Sequence, residues 1–408
     1  MADIPDRSRA QTGAADKPQQ QFFSPCPRGL EGVLDVELAA LGATDIRRFD
    51  GGAAFRGDFA LCYRVNLHSR IASRVLWRLD HAPYRTDQDI YNCVSALPWQ
   101  RYFGASQTIR VNVSATASPL KSLDFITLRI KDAVCDKCRA QTGSRPSVDT
   151  AKPDVRIHAF FDATHVSVYL DTSGEPLFKR GLRREAGEAP LRENLAAGIL
   201  MLAGWTPEMP LLDPMCGGGT FLLEAAEMTL RRAPGARRTF GFEKLNNFDG
   251  ALWQRIHADA RQAERSPESL AIWGSDLYGD ALKPARANLL AAGLEGAIQL
   301  KQANVLEVSP PTAHGMLIVN PPYGVRLGEQ QDLVSLYPKL GDTLKQRFTG
   351  WRACIFTADM RLPKLIGLKP SRRIPLFNGA LECRLYIFDI VAGAMRREKA
   401  GERREVKD

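Results

Sequence analysis

The chain has 408 residues, of which 44% are hydrophobic and 25% are charged, and its formal net charge is +9 at pH 7. This length indicates two or three globular domains, and no apolar run approaches the ~20 residues of a membrane span, which argues against a membrane partner. The positive charge favours a polyanionic partner, although many basic proteins bind nothing in particular.

The chain begins with a polar stretch that is rich in Ala, Gln and Asp. This stretch lacks the apolar segment of a secretory signal, and Asp3, Asp6 and Asp16 argue against a transit peptide. We therefore predict that residues 1–21 form a disordered leader.

Two segments of mixed helix and strand pattern follow the leader. Residues 22–98 hold short alternating runs and amphipathic helices, and the second helix is expected to continue into residues 70–76. Between residues 107 and 171, the order strand, helix, strand, strand is typical of an α+β module. The predicted strands are Ile46–Phe49, Ala53–Phe55, Thr108–Val113, Val155–Phe161 and His165–Leu170, and the predicted helices are Gly32–Leu41, Phe59–Leu67 and Leu123–Arg139.

The eight cysteines are scattered along the chain. Cys135 and Cys138 have the spacing of a zinc or redox pair, but no second such pair and no pair of histidines completes four ligands. Both cysteines lie in the helical pattern Leu123–Arg139. The sequence therefore favours buried thiols, no metal site and a reducing cytoplasm.

Gly, Pro and basic residues mark residues 173–189 as a linker. Beyond it, strands and helices alternate, which predicts a parallel sheet with helices on both faces. Asn378-Gly379 separates the last two strand patterns and predicts a hairpin that closes the sheet. The predicted strands are Pro210–Asp213, Ala271–Asp276, Ala297–Ala303, Met316–Val319, Arg352–Thr357, Arg372–Phe377 and Leu381–Ile390, with helices Thr220–Met228, Asp280–Ala292 and Asp332–Arg347.

The segment Asp213–Thr220, with the sequence DPMCGGGT, follows a short strand and opens a helix. Its glycines allow a ligand to approach the backbone at the carboxyl end of a strand. A Walker A loop needs a Lys after the last glycine, and a dinucleotide fingerprint needs a third glycine where Leu222 stands. What remains is a loop for the methyl donor S-adenosylmethionine, whose amino-acid end would face the glycines. The predicted cofactor residues of this loop are Asp213, Met215, Cys216, Gly217, Gly219 and Thr220.

Two later strand ends carry further cofactor candidates. Asp276 ends the next predicted strand, where a carboxylate can bind two ribose hydroxyls, and its alternative role is an N-cap of the following helix. Asn304 ends the third predicted strand and is a candidate contact for the adenine. Cys216 is interpreted as a small packing residue rather than a nucleophile, because no His follows it in useful register.

The motif Asn320-Pro321-Pro322-Tyr323 ends the apolar run Met316–Val319. The Asn320 side-chain carbonyl and the Pro321 backbone carbonyl can both accept hydrogen bonds from one flat amino group, and the Tyr323 ring can stack on the base that carries it. Pro322 restricts the backbone before it. We predict methyl transfer to an exocyclic amine without a metal; the alternative is a Pro-rich turn after a strand.

Together these motifs resemble the class I S-adenosylmethionine-dependent amino-methyltransferases. Leu177–Arg183, Ala189–Ala197 and the loop that runs into Phe221–Ala226 narrow the resemblance to the THUMP-domain RNA methyltransferases, and most closely to bacterial rRNA guanine-N2 methyltransferases of the RlmL type. The resemblance implies an α/β protein. Its class I methyltransferase Rossmann-like sheet, with a C-terminal antiparallel hairpin, would follow an α+β ferredoxin-like and THUMP module.

The resemblance also implies domain bounds. A ferredoxin-like segment is expected at residues 22–65, a THUMP RNA-binding domain at 66–172, the linker at 173–189, the methyltransferase domain at 190–393 and a disordered charged tail at 394–408. Two positions depart from the family, since Gly218 stands where Ser is common and Asn304 where Asp is common. The first should leave the backbone contacts intact, and the second concerns the adenine contact rather than methyl transfer.

The function implied is methylation of a guanine N2 amine in 23S rRNA. Lys179, Arg180, Arg183 and Arg184 are candidate phosphate contacts, and the alternative is a solvated, charged linker. The sequence leaves open a tRNA guanine-N2 methyltransferase, an adenine-N6 methyltransferase and a non-catalytic RNA-binding ribosome-assembly factor. It makes no prediction of the oligomeric state.

Overall fold

A computed structural model describes residues 19–181, 191–322 and 327–392, with the side chains of 327–333 left out. The predicted tail and most of the predicted leader therefore lie outside the described residues. The strands are β1 (Gln20–Pro25), β2 (Thr44–Phe49), β3 (Gly52–Gly57), β4 (Leu76–Pro83), β5 (Ile109–Ala115), β6 (Val155–Phe161), β7 (His165–Asp171), β8 (Leu211–Asp213), β9 (Ile272–Asp276), β10 (Gln299–Gln302), β11 (Gly315–Val319), β12 (Trp351–Thr357), β13 (Arg372–Asn378) and β14 (Leu381–Asp389).

The α-helices alternate with these strands along the chain. They are α1 (Glu31–Ala40), α2 (Phe59–His68), α3 (Asp87–Ala96), α4 (Leu123–Thr142), α5 (Glu193–Ala203), α6 (Thr220–Thr229), α7 (Gly250–Gln262), α8 (Leu282–Ala291), α9 (Leu327–Arg347) and α10 (Leu362–Leu365). No helix in the described parts of the chain combines the length and the apolar character needed to cross a bilayer.

The described residues fall into two compact units. The first contains residues 19–26, Leu34–Leu177 and Arg238–Asp259. Its sheet has the strand order β2-β3-β1-β4-β7-β6-β5, in which only β5 and β6 run parallel. Helix α4 begins at Ser122, whose hydroxyl accepts a hydrogen bond from the Phe125 N–H, and it ends at Gly143 in the left-handed region. The predicted α+β fold of this part of the chain is confirmed.

Two expectations for the first unit are wrong. Gln20 and Gln21 lie in β1 rather than in a leader, because they pair with Gly57 and Arg56 of β3. Helix α2 ends at His68 and does not continue into residues 70–76. The half-buried Glu37 carboxylate accepts hydrogen bonds from the Ser69 hydroxyl and from the backbone N–H of the residue after it, which fixes a turn where the sequence pattern predicted more helix.

The thiols of Cys135 and Cys138 are buried on α4. Burial raises the pKa of both thiols, which keeps them protonated. Among the residues that the structure describes, no group of three or more His, Cys, Asp or Glu side chains could hold a metal ion. The burial of both thiols agrees with the interpretation from the apolar pattern of the helix.

The second unit contains residues 27–33, Phe178–Arg237 and the chain from Ala260 onward. Its sheet has the order β10-β9-β8-β11-β12-β14-β13; the first five strands are parallel, and β14 is antiparallel to both neighbours. Gly379, with φ +64°, makes the predicted hairpin turn. The predicted parallel sheet closed by an antiparallel pair is confirmed. After β10 the chain returns to the other side of β8, so β8 and β11 flank a topological switch point.

Candidate active site

The candidate residues of the second unit follow the carboxyl ends of adjacent parallel strands. Asp213, the last residue of β8, lies opposite Gly274 of β9, and Asp276, the last residue of β9, lies opposite Gln302 of β10. On the other side, β11 pairs in parallel with β8 and ends one residue before Asn320. Because parallel strands end at the same edge of a sheet, the structure brings these side chains to one edge, at the switch point.

The glycine loop between β8 and α6 has the backbone of a ligand cradle. Gly217 and Gly219 adopt the left-handed region with φ of +48° and +77°, whereas Gly218 does not. A Cβ atom on Gly219 would lie 3.3 Å from the Ala285 Cβ, so this glycine permits close packing on α8. A Cβ atom on Gly217 would meet no described protein atom within 4 Å. The loop is therefore open at Gly217.

Asp276 is tied to this loop. Its Oδ2 accepts a hydrogen bond of 3.0 Å from the Gly217 N–H, and its Oδ1 accepts a longer one of 3.4 Å from the Tyr278 N–H. The side chain is half-buried, so the carboxylate keeps accepting capacity at the loop surface. Both its place and its chemistry suit vicinal hydroxyl groups of a bound ligand.

Asp213 lies beneath the loop. It is 2% exposed, and its Oδ1 accepts a hydrogen bond of 3.2 Å from the Met215 N–H. Met215 in turn packs against the hydrophobic core of the sheet. Thr220 begins helix α6. Asp213 therefore fixes the start of the loop. Burial, together with the nearby Asp276 charge, raises the pKa of the Asp213 carboxyl group to about 8.

Cys216 is buried, and its Sγ lies 3.3 Å from the position that a Cβ on Gly274 would take. Burial is the main cause that raises the pKa of its thiol well above the usual range. A protonated, enclosed thiol is a weak nucleophile. The geometry supports the packing role that the sequence suggested.

Asn304 follows β10 and organises the turn after it. Its Oδ1 accepts a hydrogen bond of 3.0 Å from the Leu306 N–H, and its backbone carbonyl accepts one from the Glu307 N–H. The preceding residue, Ala303, donates its N–H to the Asp276 carbonyl. Asn304 is thus held at the same edge as Asp276, with its side-chain carbonyl already engaged.

Asn320 is the most distinctive group at this edge. Its Oδ1 is fully buried and has no hydrogen-bond partner among the residues that the structure describes. Pro321 is buried and Pro322 is exposed, whereas Tyr323 lies outside the described residues. A buried acceptor without a donor costs free energy, so its presence beside an open loop indicates a ligand that donates.

The comparisons with known proteins agree with this geometry. The methyltransferase domain described as RMKL-like matches residues 180–387, a THUMP domain matches residues 84–171, and the RlmL ferredoxin-like domain matches residues 21–76. The chain belongs to the RMKL-like methyltransferase family. The resemblance seen in its sequence motifs is therefore confirmed.

Several relatives of this family member cover nearly all of it. It is 39% identical to a Synechocystis protein that carries the name of an RNA methyltransferase, over 93% of this chain and 99% of that protein. It is 41% identical to the ribosomal RNA large subunit methyltransferase K/L of Methylococcus capsulatus, over 91% of this chain and 51% of that protein. The chain thus spans about half the length of the K/L relatives that it matches.

Two solved structures match most of the length of this methyltransferase. SMU.472, crystallised as a complex with SAH, has a TM-score of 0.84 and 31% identity, and the match covers 92% of this chain and 99% of that one. A protein of Listeria monocytogenes, described as a predicted N6-adenine-specific DNA methylase, has a TM-score of 0.83 and 26% identity, with 91% and 96% covered.

One of the predicted phosphate contacts of this RMKL-like methyltransferase is wrong. Arg180 is 3% exposed, and its Nε donates to the Glu224 carboxylate at 3.1 Å. A buried guanidinium held by a carboxylate is not open to RNA, and removal of either partner would leave an uncompensated buried charge. Lys179 is exposed and stays a candidate, whereas Arg183 and Arg184 lie outside the described residues.

One residue that shapes the glycine loop was not predicted from the sequence. Asn288 on α8 is fully buried, and its Nδ2 donates to the Gly218 carbonyl at 3.0 Å. The same helix carries Ala285, which packs on Gly219. A polar residue on the buried face of a helix indicates a hidden hydrogen-bond partner. The sequence does not show which partner, because the loop lies 70 residues away.

The raised pKa of Asp213 should make the stability of this methyltransferase depend on pH. The folded protein holds a proton up to about pH 8, which the unfolded chain releases near its ordinary pKa of ~3.9. The free energy of unfolding should therefore fall as the pH rises through that window. In Asp213→Asn the free energy of unfolding should fall less with pH, because an amide does not ionise.

Urea unfolding at several pH values measures this dependence. The control is Asp280→Asn, which changes an exposed carboxylate. An equal fall of the unfolding free energy with pH in the unmodified chain and both variants would contradict the prediction.

Proposed function

We propose that this chain uses S-adenosylmethionine to methylate the exocyclic N2 amine of a guanine in large-subunit (23S) ribosomal RNA. The observation that carries the proposal is the buried, unpartnered Oδ1 of Asn320 within the described site, beside the glycine loop. An aromatic amine offers two N–H donors and no strong base, so it suits a site of acceptors rather than an acid–base dyad.

The residues present fit the proposed cofactor. Gly217 leaves its surroundings open, and the Asp276 carboxylate adjoins it. Asp213 holds a proton up to about pH 8 in the protein without ligand, and a bound ammonium group below the loop would favour its ionised form. When bound, S-adenosylmethionine would supply an electrophilic methyl group on its sulfonium. The family membership and the SAH complex of SMU.472 support this assignment.

The residues of the motif would orient the target amine for attack on the methyl group. The Asn320 Oδ1 and the Pro321 carbonyl would each accept one N–H bond of the amine, which draws its lone pair out of the aromatic ring and aims it outward. Pro322 holds the turn, and Tyr323 is proposed to stack on the base at ~1–3 kcal/mol. That stacking would offset part of the few kcal/mol needed to flip the base. On transfer the amine would lose one proton, which would pass to water.

The RNA substrate is supported by two of the comparisons. A THUMP domain matches the first unit, and the K/L relatives are named for the large ribosomal subunit RNA. Exposed basic residues such as Lys179 are proposed to hold phosphates. A ribosomal RNA substrate would place the reaction in the cytoplasm.

Adenine-N6 transfer is a second candidate, because the Listeria neighbour is named for that reaction. Asn320 and Pro321 can accept from either amine, so this site alone does not separate the two bases. An assay that identifies the methylated base distinguishes guanine-N2 transfer from adenine-N6 transfer.

Labelled S-adenosylmethionine and an rRNA transcript in which inosine replaces guanosine test the proposal. Inosine lacks only the N2 amine, so we expect transfer to the guanosine transcript and background transfer to the inosine one. Mass spectrometry of the digested product should show N2-methylguanosine. A product of N6-methyladenosine would favour the second candidate, and cofactor binding without transfer to any RNA would favour a ribosome-assembly factor.

A further inference from the structure

The carboxyl end of β12 carries an arginine that the proposed reaction does not use. β12 runs parallel to β11 with Val319 opposite Ile355, so the residues after Thr357 lie at the same edge as Asn320. Val319, Ile355 and Leu362 share one hydrophobic cluster, which fixes both ends of the segment between Ile355 and Leu362. The segment is therefore a rigid neighbour of the proposed amine site.

Arg361 is oriented by Asp359 within this segment. Its Nε donates to the Asp359 Oδ1 and its Nη2 to the Oδ2, both at 2.9 Å, which makes a bidentate pair. The Asp359 N–H also donates to the Thr357 hydroxyl at 3.0 Å. The hydrogen bond from Arg361 is the main cause that lowers the pKa of Asp359, so the carboxylate is ionised. The Asp359 carboxylate thus fixes the plane of the Arg361 guanidinium.

The pair is buried on one side and open on the other. The side chain of Asp359 is 7% exposed, whereas that of Arg361 is 51% exposed. A guanidinium has five N–H donors, and Asp359 uses two of them. In the described parts of the chain, the other three have no hydrogen-bond partner. A fixed fork with free donors at a half-exposed edge suits a phosphate oxyanion.

We propose that Arg361 binds a backbone phosphate of the RNA beside the target nucleotide, and that Asp359 is its positioning residue. This inference rests on the proposed RNA methyl transfer. A base leaves its stack by rotation about the backbone, so the flanking phosphates must be held while it moves. A phosphate contact fixes register without reading sequence. Arg361 would therefore act on RNA binding in general rather than on the choice of base.

Arg361→Gln and Asp359→Asn in the 408-residue chain test the proposal. The matched control is Arg352→Gln. Arg352 lies near the amino end of β12, at the opposite edge of the sheet; it donates to Asp389 at 2.8 Å, and its side chain is 39% exposed. RNA affinity is measured with a labelled rRNA fragment at several salt concentrations. Arg361→Gln should bind about tenfold more weakly and lose about one unit of the log–log salt slope. Asp359→Asn should lose affinity but keep the slope, since the positive charge stays.

Arg361→Gln with the affinity and salt slope of the control would overturn the proposal. A loss that depends on the base beside the target would also overturn it, because it would assign Arg361 to base recognition. Thermal unfolding checks that each variant is folded. Methyl transfer by the unmodified chain is measured on the same RNA: its absence would count against the proposed function, whereas an active enzyme with an unaltered Arg361→Gln variant would remove this inference alone.

Discussion

Replacement of Asn320 with alanine should lower the rate of methyl transfer by about 10²–10³-fold, which is the usual effect of the loss of one preorganised polar group at a reacting centre. The affinity for S-adenosylmethionine should stay close to that of the unmodified chain, since the residues proposed to bind the cofactor lie in other loops. The decisive measurement is the single-turnover rate at saturating cofactor. Full turnover in Asn320→Ala would remove the proposed role of this residue.

The stability of the same variant gives an independent check. The Asn320 Oδ1 is buried without a hydrogen-bond partner in the described residues, so its removal takes away an uncompensated cost. We expect Asn320→Ala to unfold at the same or a higher temperature than the unmodified chain. Asn320→Asp keeps an acceptor oxygen at the Oδ1 position in a side chain of the same shape, so it should recover part of the rate. A strongly destabilised alanine variant would show that Asn320 has a structural role.

The sequence predicted the sheet of the second unit well because its central strands β8, β11 and β12 are short, buried runs, and distinctive loops follow β8 and β11. Asp213, Asp276 and Asn320 could be placed at one edge from the sequence alone, since the carboxyl ends of parallel strands meet there. Helix α5 was missed because it is buried on nearly every side and therefore shows little amphipathic period. Helix α7 was missed because it has few buried residues.

The errors have a common physical origin in contacts between distant residues. Arg180 stands in a basic run that looked like a solvated phosphate site, but Glu224 neutralises it from 44 residues away. Asn288 reaches the glycine loop across 70 residues, and Glu37 stops helix α2 across 33. A local sequence pattern shows the charge and the periodicity of a segment. It does not show which distant residue a charged or polar side chain contacts in the folded protein. Whether a polar side chain of the site is buried, and what it contacts, is therefore known only from the structure.

Substitution of Gly217 by valine should lower the affinity for S-adenosylmethionine by more than about 100-fold. The space that the new side chain would fill holds no described protein atom within 4 Å, and it is the space proposed for the ligand. A branched side chain would also strain a backbone with φ of +48°, at ~1–3 kcal/mol. Isothermal titration with SAH measures the loss directly, without the methyl-transfer step.

Two matched variants separate ligand exclusion from backbone strain. Gly293, at the end of α8, has φ of +66° and equally open surroundings, so Gly293→Val should cost similar stability and leave cofactor affinity unchanged. Gly218→Ser places a Cβ at an ordinary 3.7 Å from the Asn288 Nδ2 on a backbone without positive φ, and it should alter neither quantity. If Gly217→Val bound SAH as tightly as Gly293→Val, the open space at the glycine loop would not be the cofactor site, and Asn320 would lack a neighbouring methyl donor.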